Sequence, residues 1–408
     1  MTGEREATGG SETSGRAERP TGSGARITAI KAMQVSAPGS LPRNETLIKI
    51  ETDAGVVGYG ESSASGPLAR AAIATLDGPR LPHLSLIGKD PLALGVHYHT
   101  LFHAYPQRTR YLRVFSGIDI ALWDLAGKLL GQPVATLLGG PFRTEIPLYS
   151  HCSGGDQFDK GAWRARAQEL LADPKGFRAF KVDIHHPLGV PMQQAISSIG
   201  PREARKVARA YELAREAFGA DVDIIVHGHC ELDLPSAIRV AKAIEPIDPL
   251  FFEDPLAPAF SESWLALRRA TRVPLFTGEN LELPEQALPF LQHAAVDALQ
   301  PDLINCGGIT GAKRMADVAA LYHIPICLHN VSGLTLAMAS QQWSAAVFNC
   351  PLMECRRDDQ QAWAAASNAP IIRDGKMQVS TQPGLGLDFD PEKLQAGRVE
   401  GEPWWGDA

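Results

Sequence analysis

The 408 residues predict an α/β protein: a closed TIM-type barrel of alternating strands and helices, preceded by a smaller α+β capping domain. Three observations carry this. First, six acid-base residues stand one per repeat along the second half of the chain, each just after a short apolar run. They are His227 after VDIIV, Glu253 after PLFF, Glu279 after VPLFTG, Asp302 after VDALQP, His329 after IPICL and Glu354 after CPLM. Neighbours lie 23 to 27 residues apart, close to one strand-plus-helix unit of a barrel whose strand tips all gather at one end. Second, the first part of the chain has strands and then helices rather than alternation, which is the α+β pattern. Third, the opening residues are almost devoid of apolar side chains and cannot form a core of their own.

Taken in order, residues 1–25 are Gly, Ser, Thr, Glu and Arg, read as a disordered tail. They lack the apolar centre of a signal peptide, so a cytoplasmic protein is expected. Residues 26–145 form the capping domain. ITAIKAMQVSA, ETLIKIETDAG and VVGYGESSA alternate as strands, and the Asp53-Ala54-Gly55 turn between the last two reads as a hairpin. The run SGIDIALWDLAGKLL at 116–130 repeats Ile118, Leu122, Leu125 and Leu129 at helical spacing. Ser116 is a candidate N-cap, and Gly131 followed by Pro133 ends the helix. From Ile146 strands and helices alternate: IPLYS is the first candidate strand and RAFKVDI the second, ending near Lys181 and Asp183. A loop, HHPLGVPMQQAISSIG, precedes a helix near Pro201, and regular repeats complete a barrel over 146–360. Residues 361–408 are rich in Pro, Gly and Trp and are expected to return and pack on the cap.

Composition excludes several classes. Apolar content of 44% and mean hydropathy of -0.11 are those of a soluble globular enzyme, and no run approaches a membrane helix. The net charge of -7, without a concentrated basic block, argues against a nucleic-acid partner. The six cysteines form no CxxC pair and read as buried, reduced thiols.

Neighbouring strands lie about 4.8 Å apart, so side chains from three consecutive tips can converge on one cation. His227, Glu253 and Glu279 have that arrangement, and two carboxylates suit a hard divalent ion such as Mg²⁺. Asp302 and His329 end two later strands; an Asp that orients a His and raises its basicity makes a general base near neutral pH. Glu354, on the following strand, can hydrogen-bond a substrate oxygen or carry a proton. His229 lies two residues beyond His227, so strand alternation points both to the site and supplies an acid for a leaving hydroxyl.

EDP at 253–255, GEN at 278–280, QPD at 300–302, CGGITG at 306–311, the His329 and Glu354 strands, and SGIDIALWDLAGKLLGQPVATLLGG at 116–140 together resemble the enolase superfamily. The branch resembled is that of mandelate racemase and the acid-sugar dehydratases of gluconate and mannonate type. The resemblance implies a (β/α)7β barrel capped by an α+β domain built from both chain ends. It implies abstraction of a proton α to a carboxylate by a Lys or His base. A divalent metal would counter the charge that develops as the proton leaves. Carried over, Glu253 and Glu279 fall on metal ligands, Asp302 and His329 on a catalytic dyad, Glu354 on an electrophilic acid and His229 on the group that helps expel a β-hydroxyl.

Two departures stand out. His227 replaces the family's metal-binding Asp, and imidazole suits Mn²⁺, Fe²⁺ or Zn²⁺ better than Mg²⁺. Asp223 or Glu231 is a candidate to restore the lost charge. Lys181 and Asp183 stand where the racemase branch has Lys-x-Lys, so Lys181 remains to bind a substrate carboxylate but a second base is lacking. The function expected is dehydration of a sugar acid, an aldonate or aldarate, to a 2-keto-3-deoxy acid. The alternatives are an epimerase or racemase of another carboxylate, or a catalytically impaired acid-sugar-binding relative. The expected partners are a small-molecule carboxylate and further copies of the chain in a homo-oligomer, with cap loops at roughly 37–46 and 61–68 closing over the substrate.

Overall fold

The computed structural model describes residues 23–36, 44–79, 82–104, 108–152, 155–190, 198–357 and 370–406. Most of the expected tail, part of the 37–46 loop, and residues 191–197 and 358–369 therefore lie outside the described residues. The chain opens with an antiparallel sheet of β1 (Ile27–Ser36), β2 (Asn44–Thr52) and β3 (Val57–Ser62), in that order. The turn at 53–55 joins β2 to β3, with Gly55 at φ 73°, a left-handed conformation that glycine adopts without steric cost. Next come α1 (Gly66–Leu76), α2 (Leu94–His99) and α3 (Leu112–Leu130), the last lying across β2 and β3. A Cβ on Gly60 would overlap the Gly117 carbonyl oxygen. Sheet and helix backbones thus touch there, and a larger residue would force them apart.

Ser116 does not cap this helix. α3 starts four residues earlier, at Leu112, and the Ser116 hydroxyl donates to the Leu112 carbonyl at 2.9 Å. The extra turn buries Leu112, Val114 and Phe115 against the cap, and this apolar burial outweighs a serine's preference for the helix end. Gly131, at φ 63°, ends the helix in the left-handed conformation.

After α4 (Val134–Leu137) the barrel strands follow: β4 (Glu145–His151), β5 (Ala179–Asp183), β6 (Asp223–His227), β7 (Phe251–Glu253), β8 (Leu275–Thr277), β9 (Ala298–Leu299) and β10 (Met353–Glu354). From β4 to β9 each pairs in parallel with the next. Ile326 bridges to Leu299 and Leu328 to Met353, and β10 pairs back onto β4, so the ring closes. Between successive strands stand α5 (Lys160–Leu171), the short α6 (His185–Leu188) with α7 (Pro201–Phe218), α8 (Leu234–Ile244), α9 (Glu262–Ala270), α10 (Pro284–Gln292), α11 (Gly308–Leu321) and α12 (Leu334–Ala346). This is the (β/α)7β barrel that the resemblance implied. Among the described residues no helix is long and apolar enough to cross a membrane, and all six cysteines are free.

Cap and barrel are joined through buried polar contacts. The Asp119 carboxylate on α3 accepts from the Thr310 hydroxyl and backbone N–H at 2.7 and 2.9 Å. Glu61, at the end of β3, accepts from the backbone N–H groups of Gly333 and Leu336 at 2.7 and 2.9 Å. A carboxylate at the start of α12 also complements the helix dipole. Beyond the barrel, β11 (Ile372–Arg373) and β12 (Lys376–Gln378) form a hairpin laid antiparallel on β4. Leu394 of α13 (Pro391–Ala396) and Trp405 then bury Met33, Val35 and Leu47 of the cap sheet.

Candidate active site

Alternation along the barrel strands decides what faces inward. On β5, β6 and β7, Phe180, Val182, Ile224, Val226 and Phe252 pack outward under the helices. Ala179, Ile225 and Phe251 face the barrel interior, where Phe251 stacks on Phe276 at 3.9 Å. Two residues further on, or four for Asp183, the same face carries Lys181, Asp183, His227 and Glu253. Every one of them is buried. Glu279 follows Gly278, whose φ of 153° and closeness to the Gln300 backbone leave room for no other residue.

Lys181 forms the floor. Its ammonium donates to Glu253 Oε1 at 2.9 Å and to Glu354 Oε1 at 2.6 Å. Burial works against its charge, but the carboxylates of Glu253, Glu354 and Glu279 outweigh that and hold the ammonium above its ordinary value. Above it, one ligand atom from each of His227, Glu253, Asp254 and Glu279 lies within 4.8 Å of the others. His227 Nε2 is 3.6 Å from Glu253 Oε1 and 3.7 Å from Glu279 Oε2. Glu253 Oε2, Asp254 Oδ2 and His227 Nε2, which faces them, are buried without a hydrogen-bond partner. Buried polar atoms are rarely left so, and clustered carboxylate oxygens beside an imidazole nitrogen fit a divalent cation.

The proton affinities of these groups bear on that. Burial, opposed by Lys181 and reinforced by Glu354 and Glu279, pushes Glu253 up to about 7. Burial, opposed by His329 and reinforced by Asp254, pushes Glu279 up to about 7. A cation must displace those protons, so Mn²⁺ is expected to bind the protein much more tightly at pH 8 than at pH 6, releasing protons as it does. Titration calorimetry in two buffers of different ionisation enthalpy checks this; equal affinity at both pH values, with no proton release, would refute it. The sign for stability is opposite. Both folded values exceed the ordinary 4.5, so the metal-free fold loses stability as pH rises through about 7.

The dyad stands at the next two tips. Asp302 Oδ2 is 2.7 Å from His329 Nδ1. His329 Nε2 faces Glu279 Oε2 at 3.2 Å and Glu354 Oε2 at 3.7 Å. Burial opposes the charge on His329, but Glu279, Glu354 and Asp302 outweigh it and push the imidazole up to about 10. Burial would favour a proton on Glu354, but Lys181, His329 and His151 outweigh it and hold the group well below the usual carboxylate range. His229 reaches the site by a different route from strand alternation. β6 ends at His227, and His229, at φ 53°, is folded back by a left-handed turn that stacks its ring on His227 at 3.7 Å. Its Nε2 is 3.8 Å from Asp183 Oδ1. Burial first, with Asp183 opposing, lowers it to about 4.

Thus Lys181, His227, Glu253, Glu279, Asp302, His329 and Glu354 form one connected cluster, with His229 at its edge beside Asp183. Neither Asp223 nor Glu231 sits beside His227. Asp223 begins β6, at the other end of the strand, and Glu231 binds His185 at 3.0 Å. The carboxylate next to His227 is Asp183, its register partner on β5, with Oδ1 3.3 Å from His227 Nδ1. Two further residues were missed. His151 Nε2 lies 2.8 Å from Glu354 Oε1; β4 runs one residue past IPLYS, and the strand-tip rule applied there would have found it. Asp254 joins the cation cluster because its backbone turns at φ 46° straight after the strand.

A parallel barrel with converging acid-base groups at the carboxyl ends of its strands, several of which could hold a metal ion, defines a barrel enzyme. Residues 27–139 match the mandelate racemase / muconate lactonizing enzyme N-terminal domain family, and residues 162–393 match the enolase C-terminal domain-like family. The chain belongs to the mandelate racemase/muconate lactonizing enzyme branch of the enolase superfamily, whose members use a divalent metal. It is 31% identical over 383 residues to a D-xylonate dehydratase of Haloferax volcanii, covering 93% of this chain and 90% of that protein. It is also 31% identical over 376 residues to a D-galactonate dehydratase of Ralstonia pickettii, covering 90% and 94%. A mandelate racemase/muconate lactonizing enzyme-like protein of Rubrobacter xylanophilus superposes with a TM-score of 0.82 at 30% identity, covering 93% of this chain and 99% of that one.

Proposed function

We propose that the protein is a metal-dependent hydro-lyase of a sugar acid, an aldonate or aldarate, forming a 2-keto-3-deoxy acid. The observation that carries this is the 2.7 Å Asp302–His329 pair, whose Nε2 lies 3.2 Å from Glu279 of the cation cluster. The relatives named as D-xylonate and D-galactonate dehydratases support the same reaction class. His227, Glu253 and Glu279, with Asp254 behind them, would hold Mg²⁺ or, given the imidazole, Mn²⁺, which supplies positive charge against the negative charge developing on the substrate carboxylate. Lys181 has three donors, two of them used by Glu253 and Glu354, and the third binds the substrate carboxylate. With Glu279 bound to a cation, the His329 imidazole would lose the largest charge that keeps it protonated in the metal-free protein, and the neutral ring, held by Asp302, would then take the proton from the carbon next to the carboxylate. The C–H electron pair forms the new C–C double bond as the C–O bond to the β-hydroxyl breaks. The departing hydroxide leaves as water with a proton from His229, once bound substrate raises that imidazole's proton affinity from about 4, and the enol then tautomerises to the ketone. Glu354, ionised between Lys181 and His151, keeps the floor charge-balanced and faces the base. In this reading residues 26–145 and the returning segment 361–408 cap the barrel of 146–360.

Incubation with a panel of acid sugars in D₂O tests the proposal. Formation of a keto acid carrying deuterium at C3 is the expected result. Exchange of the α-proton without loss of water would favour an epimerase, and neither event across the panel would refute both.

A further inference from the structure

We infer that Asp183 is a positioning residue for the cation site: it fixes the tautomer and aim of the His227 imidazole and supplies the negative charge that imidazole lacks. Two features of the geometry meet here, the strand ladder and the placement of the imidazole. The two residues are register partners on adjacent parallel strands, β5 and β6, so their Cα positions are fixed relative to each other by the ladder. The ladder continues past them, with the Ile184 N–H donating to the His227 carbonyl at 3.1 Å. The imidazole then lies between two kinds of carboxylate. Nδ1 is 3.3 Å from Asp183 Oδ1, while Nε2 is turned to Glu253 and Glu279 at 3.6 and 3.7 Å.

An imidazole with one nitrogen bound to a cation must carry its proton on the other, and a carboxylate facing that second nitrogen selects this tautomer. Asp183 is the residue placed to do so. At 3.3 Å the two atoms are in contact without forming a hydrogen bond, and a small rotation of either side chain would make one. Asp183 is buried, so its charge is poorly screened. Its other neighbours are the His229 and His186 rings, at 3.8 and 4.0 Å, and no Lys or Arg pairs with it among the described residues. The carboxylate thus stands one imidazole away from the Glu253–Glu279 cluster, although with His227 and His229 it also forms a group whose ligand atoms lie within 4.8 Å of one another. Direct ligation by Asp183 would make its loss equally costly in the His227→Asp background.

This rests on a cation binding at His227, Glu253 and Glu279, and the test separates the two. Mn²⁺ affinity is measured by calorimetry and by the electron paramagnetic resonance of free Mn²⁺ in four proteins: wild type, Asp183→Ala, His227→Asp, and the double variant. Asp183→Ala is expected to weaken Mn²⁺ binding about 10- to 100-fold, as removal of such outer partners does. In the His227→Asp background, where no imidazole remains to be oriented, the same change should cost little or should strengthen binding. That non-additivity is the signature of a pairwise coupling. Asp183→Asn keeps an acceptor without the charge and should fall between wild type and Asp183→Ala. Equal losses in both backgrounds, or unchanged affinity in Asp183→Ala, overturn the inference while leaving the cation site intact. Failure of the wild type to bind Mn²⁺ overturns both. Should a double variant not fold, ¹⁵N shifts of the His227 ring in the Mg²⁺-loaded wild type and Asp183→Asn decide the matter. A proton held on Nδ1 supports the pairing, and one held on Nε2 overturns it.

Discussion

Replacing His329 with Asn is expected to lower kcat by up to about 10⁴-fold, the upper range for losing a positioned general base. The amide is nearly the size of the ring's inner half and can donate to Asp302, which otherwise would be left as a buried carboxylate without its 2.7 Å partner. The fold should therefore survive, and the loss should be one of proton transfer. Nothing remains at the Nε2 position, 3.2 Å from Glu279, that can accept a proton. The accompanying measurement is deuterium exchange at the α-carbon, which should fall with turnover, while Mn²⁺ affinity stays within several-fold of wild type. A variant that still exchanges the α-proton at an undiminished rate would remove His329 from the role of base.

Lys181→Met is expected to destabilise the protein by about 3–5 kcal/mol at pH 8, the usual cost of removing one partner from a buried ion pair. Met matches the length of the lysine stem, so packing changes little. What is lost is the ammonium that sits 2.9 and 2.6 Å from Glu253 and Glu354. Two buried carboxylates then face each other without a countercharge. The proton affinity of Glu253 rises further above the ordinary carboxylate range and that of Glu354 rises from well below it, so the deficit should shrink toward pH 5, where protonation neutralises one of them, and grow as pH rises through about 7. Urea denaturation at pH 5.5 and pH 8 reads both the size and the sign. A saturating divalent ion should narrow the gap at pH 8. An equal stability at pH 8 would mean that Lys181 is not what holds the carboxylates together.

Much of this site was legible in the sequence because barrel geometry converts linear spacing into position. A strand and a helix repeat at a nearly constant length, so residues 227, 253, 279, 302, 329 and 354 had to arrive at one end. Register between neighbouring strands is not written in that spacing. Asp183 was visible only as a departure from Lys-x-Lys; that its carboxylate lies beside His227 depends on the β5–β6 ladder, and Asp223 and Glu231 were the residues that linear proximity offered instead. His229 came to the site for a reason other than the one expected, since a left-handed turn is a tertiary choice that alternation cannot foresee. His151 was lost to an error of one residue in a strand end, the usual uncertainty of such boundaries. The Ser116 cap failed because apolar burial extended α3 backwards. Local preferences yielded where packing was stronger.

The closing ladder between β10 and β4 sets a timetable for a nascent chain. Lys181 and Glu253 leave the ribosome well before Glu354, which is carried by the last strand of the ring. Until that strand docks, the ammonium lacks one of the two carboxylates it hydrogen-bonds, and the imidazole of His329 lacks one of the two its Nε2 finally faces. Chains that stall or end before this point are expected to be inert toward acid sugars rather than weakly active, because the chemistry switches on only when the ring shuts.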